Sequence, residues 1–161
     1  MTHKYHVIST LVEDKPGVLQ KVAGMFNRRG FNIDGITVGS SEVEGLSRMV
    51  ITVHADEKGL EQVMKQLNKL IDVIKIKDIT EKAVKRELCL VKVSIPNAEA
   101  RAEIMQYSNI FRAHILDVTE ETLMMELTGD KKKINAFISL LEGYGIKRIA
   151  RTGLTAMSRG V

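Results

Sequence analysis

The spacing of apolar residues along this chain switches repeatedly between the strand period of two and the helix period of 3.6. The order of those switches constrains the fold more than any other feature. His6 to Val12 reads as a strand with apolar residues on both faces, broken by Glu13-Asp14-Lys15-Pro16-Gly17. Val18, Leu19, Val22, Ala23 and Phe26 then recur at helical spacing, and Arg28-Arg29 followed by Gly30 marks the helix end. Asn32 to Gly39 is a second strand, and Ser40 to Gly45 a polar turn. Leu46 to His54 is a third strand, with Met49, Ile51 and Val53 alternating against Val50, Thr52 and His54. Asp56 is placed to cap a second helix, whose apolar face is Leu60, Val63, Met64, Leu67 and Ile71, and Val73 to Ile79 is a fourth strand.

That order, strand-helix-strand-strand-helix-strand, is the split βαβ or ferredoxin-like pattern. After a short charged stretch, Thr80 to Lys85, it returns. Glu87 to Ile95 is a strand ended by Pro96-Asn97, and Ile104, Tyr107, Ser108 and Phe111 share one helix face. His114–Val118 and Leu123–Leu127 flank a turn, Ile134, Phe137, Ile138 and Leu141 mark another helix, and Ile146–Thr152 closes the set. The fold class expected is therefore α+β, with two ferredoxin-like βαββαβ units at 1–79 and 86–161 joined by a linker at 80–85. Each unit has about 75 residues, a size at which a lone core is marginal. Open sheet edges in such units invite side-by-side pairing. The tail from Gly153 onward is expected to pack on a neighbour.

Composition excludes several classes. The formal charge is only +4 over 161 residues, and there are four Phe, three Tyr and no Trp. A nucleic-acid surface needs clustered cations and stacking aromatics, which Leu46–His54 and Leu88–Ile95 lack. Lys131-Lys132-Lys133 reads as a solvated helix start. The single cysteine, Cys89, lies in an apolar strand and reads as a buried structural thiol. No apolar run has signal-peptide or membrane-span length, so a cytoplasmic protein with no membrane partner is expected.

No catalytic constellation stands out. His3, His6, His54 and His114 are scattered, with no metal-ligand spacing, and read as surface or strand-end residues. Ser40-Ser41 have no acid–base partner nearby, and Glu42, Glu44, Glu120 and Glu121 fall in turns. No glycine-rich phosphate loop occurs. A binding or regulatory module is expected rather than an enzyme, with no metal and no cofactor in this chain.

One segment carries a signal. In Leu11-Val12-Glu13-Asp14-Lys15-Pro16-Gly17-Val18-Leu19 a strand end meets a helix start across a Pro-Gly turn. The first helical turn offers unpaired backbone N–H groups and a positive dipole end, which suit a carboxylate. Gly17 lets a ligand approach the backbone. Asn32, opening the second strand, has an amide that can donate and accept, and so could read an amino acid's polar head from a second copy of the chain. Turn chemistry alone also accounts for each of these residues.

The strand order, the acidic turn running into Pro16-Gly17-Val18-Leu19, and Gly30-Phe31-Asn32-Ile33 resemble an ACT domain, a module that binds amino acids between paired copies. Arg28-Arg29-Gly30-Phe31-Asn32-Ile33, Leu46-Ser47-Arg48-Met49 and Arg86-Glu87-Leu88-Cys89-Leu90-Val91-Lys92-Val93 are similar to the acetolactate synthase small-subunit family. So are Ile110-Phe111-Arg112-Ala113-His114-Ile115-Leu116-Asp117-Val118-Thr119 and Arg151-Thr152-Gly153 through Ser158-Arg159-Gly160. The resemblance implies a regulatory subunit with no activity of its own, in branched-chain amino acid biosynthesis. Its partner would be a large catalytic subunit holding thiamine diphosphate, magnesium and FAD. It also implies a homodimer through ACT domains and feedback inhibition by a branched-chain amino acid, valine foremost, at their interface. By position, Gly17, Val18 and Leu19 would offer backbone groups to the effector, and Asn32 with Ile33 would come from the partner. Asp14 stands where many relatives carry Asn; its carboxylate favours the effector's ammonium and repels its carboxylate. An ACT-type sensor acting on a different biosynthetic enzyme is the alternative. The second unit, with Pro96-Asn97 for Pro-Gly and Ile115 or a neighbour at the place of Asn32, is expected to serve subunit contact.

Overall fold

The computed structural model describes residues 2–160. By compactness the chain forms two units, one of residues 1–84 with 154–161, the other of residues 85–153.

In the first unit, strand β1 (Lys4–Glu13) leads through the Pro16-Gly17 turn into helix α1 (Val18–Arg28). Strands β2 (Ile33–Ser40) and β3 (Leu46–Ala55) form a hairpin, and helix α2 (Glu57–Asn68) connects to β4 (Val73–Asp78). The antiparallel sheet has the order β2-β3-β1-β4, so β2 and β4 are its edges. Val18, Val22, Met25 and Phe26 give α1 one buried stripe, at i, i+4, i+7 and i+8. That stripe packs with Val63 and Leu67 of α2 on Ile8, Val12, Met49, Ile51 and Val53 of the sheet. Asp56 caps α2 as expected, accepting from Gly59 N–H at 2.7 Å. Ile71 does not lie on the α2 face; the helix ends at Asn68 and Ile71 is 87% exposed in the following turn.

Strand β5 (Ala83–Ser94) begins inside the stretch expected to be a linker. It is followed by α3 (Ala98–Phe111), β6 (His114–Val118), β7 (Thr122–Gly129), α4 (Lys131–Glu142) and β8 (Ile146–Arg151), in the sheet order β6-β7-β5-β8. Cys89 is wholly buried there among Val91, Ile104, Leu127 and Phe137, and burial raises its thiol pKa, which fits a structural thiol. The first two of Lys131–Lys133 are exposed at the start of α4, as a solvated helix start requires.

The two units repeat even their irregularities. The β2–β3 ladder shifts register between Ile33 and Gly35, and the β6–β7 ladder between Ile115 and Asp117. Gly30 after α1 has φ 70°, and Arg112 at the same place after α3 has φ 55°, the only positive φ outside glycine among the described residues. A left-handed conformation costs an L-residue about 1–2 kcal/mol, partly offset by glycine's greater chain entropy. Arg112→Gly is therefore expected to raise the unfolding free energy by roughly 0.5–1 kcal/mol in urea titration.

The tail forms a ninth strand, β9 (Thr155–Ser158), which the sequence pattern does not indicate. It pairs with β5, whose Ala83 and Val84 belong to the first unit, and Arg159 N–H donates to Lys82 O at 2.6 Å. Leu154 and Ala156 cover Val7, Val50 and Ile79 on the sheet face turned away from the helices. Thr37 Oγ1 donates to Leu154 O at 2.9 Å and fixes the crossing. The apolar residues on both faces of β1 are thus explained: Ile8 and Val12 meet the helices, and Val7 meets the tail. No helix among the described residues is long and apolar enough to cross a membrane.

Candidate functional site

Among the described residues, three of the four helices close their first turn with a side chain. Asp56, Asn97 and Asp130 each accept from the N–H three residues on, at 2.7, 2.8 and 2.8 Å. Helix α1 does not. Its N-cap is Gly17, with φ 88°, no side-chain cap and no acidic residue in the first turn. Val18 N–H reaches Lys15 O only at 3.4 Å. The positive end of the α1 dipole therefore faces outward at Gly17, Val18 and Leu19, with no carboxylate in the helix's own first turn to neutralise it. A Cβ built on Gly17 would meet nothing within 4 Å, so the room beside it is open.

The surrounding loop is held firmly. Glu13 N–H donates to Asp72 O and Asp14 N–H to Gly45 O, both at 2.9 Å. Lys15 pairs with Glu13, which raises the Lys15 pKa, and the Lys21 ammonium lies 2.8 Å from Asp72. Hydrogen bonding from Lys21 holds the nearly buried Asp72 carboxyl below its ordinary 3.8. Because the folded pKa is depressed, the pair's stabilisation is present above the ordinary value and is lost as pH falls through the depressed one. The stability gap between wild type and Lys21→Met is expected to be constant from pH 7 to about 5 and to close below about pH 4, read by urea unfolding across that range.

Asp14, Gly17, Val18 and Leu19 thus share one end of the unit, with Asp14, Gly17 and Leu19 exposed. Asn32 and Ile33 are at the other end. Ile33 pairs with Val53, and Val53 with His6, whereas β1 does not reach the Gly17 turn until after Glu13. Seven residues of strand separate the two levels, from His6 to Glu13. That is about 23 Å at 3.3 Å per residue. One protomer therefore does not bring the Gly17 turn and Asn32 together. Asn32 is exposed just before β2, and Ile33 is half-buried against the helix-side core. Since β2 runs parallel to β1, two copies apposed antiparallel along their β2 edges would bring one copy's Asn32 level with the other's Gly17 tip.

Sequence reasoning misses a polar pair beside Asn32. Asp34, the residue at the register shift, meets His54 Nδ1, and the His54 ring tilts at 59° against Tyr5 with centroids 5.3 Å apart. Strand alternation gives no sign of it, because the bulge moves Asp34 out of phase. His6 also departs from the surface or strand-end reading. It is 5% exposed, and its Nε2 points its proton at Ala55 O, 3.0 Å away.

Comparison with known proteins finds matches over both units. Residues 8–75 match the family described as AHAS small subunit-like ACT domain, and residues 86–160 that described as small subunit of acetolactate synthase. The probable acetolactate synthase small subunit of Methanothermobacter thermautotrophicus is 61% identical over 156 residues, 96% of this chain and 93% of that one. The chain belongs to the acetolactate synthase small-subunit family. The small subunit of Mycobacterium bovis is 48% identical over 161 residues, 99% of this chain and 95% of the relative. The crystal structure of the acetolactate synthase small subunit from Thermotoga maritima superposes with a TM-score of 0.92 at 48% identity, covering 98% of this chain and 99% of that one. The two-unit ferredoxin-like architecture expected from the sequence is thereby borne out in a small subunit of known structure.

Within this small-subunit framework the two units differ at the positions of Gly17 and Asn32. The register shifts align Ile33 with Ile115, so His114 falls where Asn32 stands. A polar side chain thus stands at that place too, but the Asn97 side chain caps the start of α3. Only the ACT unit keeps an open helix start.

Proposed function

We propose that this chain is the regulatory subunit of an acetolactate synthase, docking on a large catalytic subunit that carries thiamine diphosphate, magnesium and FAD. Two copies pair through their ACT units, and a branched-chain amino acid, valine foremost, binds where the Gly17 tip of one faces Asn32 of the other. The observation that carries this reading is the uncapped start of α1, beside three other described helices that are all capped by side chains. The effector carboxylate takes the amides of Gly17, Val18 and Leu19, and Asn32 with Ile33 of the second copy bears on the rest. Asp14 sits on the ammonium side, where its charge is favourable.

The chain itself performs no chemistry in this reading. Effector binding favours one arrangement of the dimer, and the catalytic subunit feels only the difference in affinity between arrangements. Such couplings are typically about 1–3 kcal/mol. Valine and isoleucine differ by one methylene, worth roughly 1–3 kcal/mol in an apolar pocket, so discrimination between them is modest.

The direct test is acetolactate formation by a large subunit with and without this chain, each with and without valine. Activity is expected to rise when the chain is added and to fall when valine follows. A rate indifferent to the chain would reject the regulatory reading; a rate raised by the chain but indifferent to branched-chain amino acids would reject the effector.

A further inference from the structure

The sheet face of the first unit that looks away from the helices carries a pocket of about 220 Å³. Its floor is Ser9 and Leu11 of β1, its sides are Arg48 of β3 and Lys75 and Lys77 of β4, and the tail strand β9 closes it with Ser158. Strand register fixes the arrangement. Leu11 pairs with Arg48 on one side and Lys75 on the other, and Ser9 pairs with Lys77. Arg48 and Lys75 thus face each other across β1, roughly 10 Å apart at the backbone, with Lys77 two residues on along the same face.

The charges there do not balance. Glu42 is the one carboxylate among the described residues lining the pocket, and it takes Arg48 Nη2 on both oxygens, at 2.9 and 3.0 Å. Arg48 Nη1 also reaches Ser9 Oγ at 3.4 Å, so the guanidinium is oriented and half-buried. Lys75 and Lys77 pair with no carboxylate among the described residues. Three cations against one carboxylate leave a formal surplus of two positive charges around one cavity. Same-face like charges repel, and the surplus matches a doubly charged anion.

We propose that this pocket binds a phosphate-type dianion, bridged between Arg48 and the Lys75–Lys77 pair with the Ser9 and Ser158 hydroxyls beside it. A guanidinium already oriented by a carboxylate and a hydroxyl is prepared to donate in a fixed plane, and the two ammonium groups add point charge. The volume holds about seven waters and lies below that of pockets for drug-sized ligands. It accommodates a phosphate group with a short carbon chain, and has no aromatic side chain to stack a base among its described lining residues. Because β9 forms the roof, the anion also ties the tail to the sheet.

The test is calorimetric titration of the full chain with inorganic phosphate at low ionic strength, where screening is weakest. Lys75→Met/Lys77→Met is compared with Lys65→Met/Lys69→Met on and just after α2. Saturable binding weakened at least ten-fold by the β4 substitutions, and unchanged by the α2 pair, supports the site. So does slower hydrogen exchange at Thr155–Ser158 when phosphate is added. A three-carbon phosphate ester binding more tightly than phosphate assigns an organic phosphate; the reverse assigns the free ion. Non-saturable heats, equal binding by the β4 double variant, malonate binding as tightly as phosphate, or adenosine monophosphate binding more tightly than both overturns the proposal.

Discussion

Mixing Gly17→Asp and Asn32→Ala subunits is expected to restore the tight valine binding that each variant alone has lost. The expectation rests on the proposed site: Gly17 and Asn32 lie at opposite ends of the first unit's strands, so a site built from both takes one from each copy. A twofold dimer then holds two sites. In a mixed dimer one site combines both substitutions, and the other combines native Gly17 with native Asn32. Random exchange gives half of the dimers mixed, so about one quarter of all sites recover. An aspartate in place of Gly17 tolerates a left-handed backbone better than most residues and supplies a carboxylate to the open helix tip. It thereby repels the effector while leaving the helix capped. Asn32→Ala removes hydrogen bonds to charged groups, worth about 1.5–3 kcal/mol, or roughly 10- to 100-fold in affinity. Calorimetry on each variant and on the refolded mixture reads the outcome. A mixture no better than its parents would place Gly17 or Asn32 outside the effector site.

The second large effect is on stability. Phe137→Ala is expected to cost about 3–5 kcal/mol. Phe137 is fully buried on α4, and its ring lies 5.2 Å from Phe111 at 49°. It packs in the same core as Ile104, Met125 and Leu127, in a unit small enough that one large cavity removes much of its margin. Phe137→Leu keeps most of the volume and is expected to cost less than about 1.5 kcal/mol. Urea unfolding of the two variants beside wild type separates these values. An equal and small loss in both would mean that the second core readjusts around the gap.

The stability of the tail's docking follows the same logic. Leu154 and Ala156 shield Val7, Val50 and Ile79. Leu154→Ala strips part of that cover and is expected to speed hydrogen exchange along β9 before it affects the helix-side core.

Much of this protein is legible in its residues because periodicity reports burial directly. The stripe Val18, Val22 and Phe26 can only face a core, and Met49, Ile51 and Val53 can only share one face of a strand. Asp56 announces its helix by chemistry alone, since its side chain accepts from a backbone N–H three residues away. The Gly17 turn is equally plain, because proline and glycine shape the backbone whatever surrounds them. Helical spacing misleads at Ile71, where it continues after the hydrogen-bond ladder has stopped. The pairing of His54 with Asp34 is invisible in the sequence because a bulge breaks the alternation on which strand reading relies.

Local pattern is enough to dictate the order of elements, their buried faces and the two βαββαβ repeats, since each depends on contacts between residues near in the chain or on a fixed period. It even requires that β1, apolar on both sides, be covered twice. The identity of the second cover comes from long-range folding alone. The tail returns to lie on the first sheet, where Thr37 and Leu154 meet across 117 positions of chain, and spacing carries no information about such a partner. The same holds for the distance between Gly17 and Asn32: the sequence lets Asn32 belong with a second copy, but only the strand register sets the two at opposite ends of the unit.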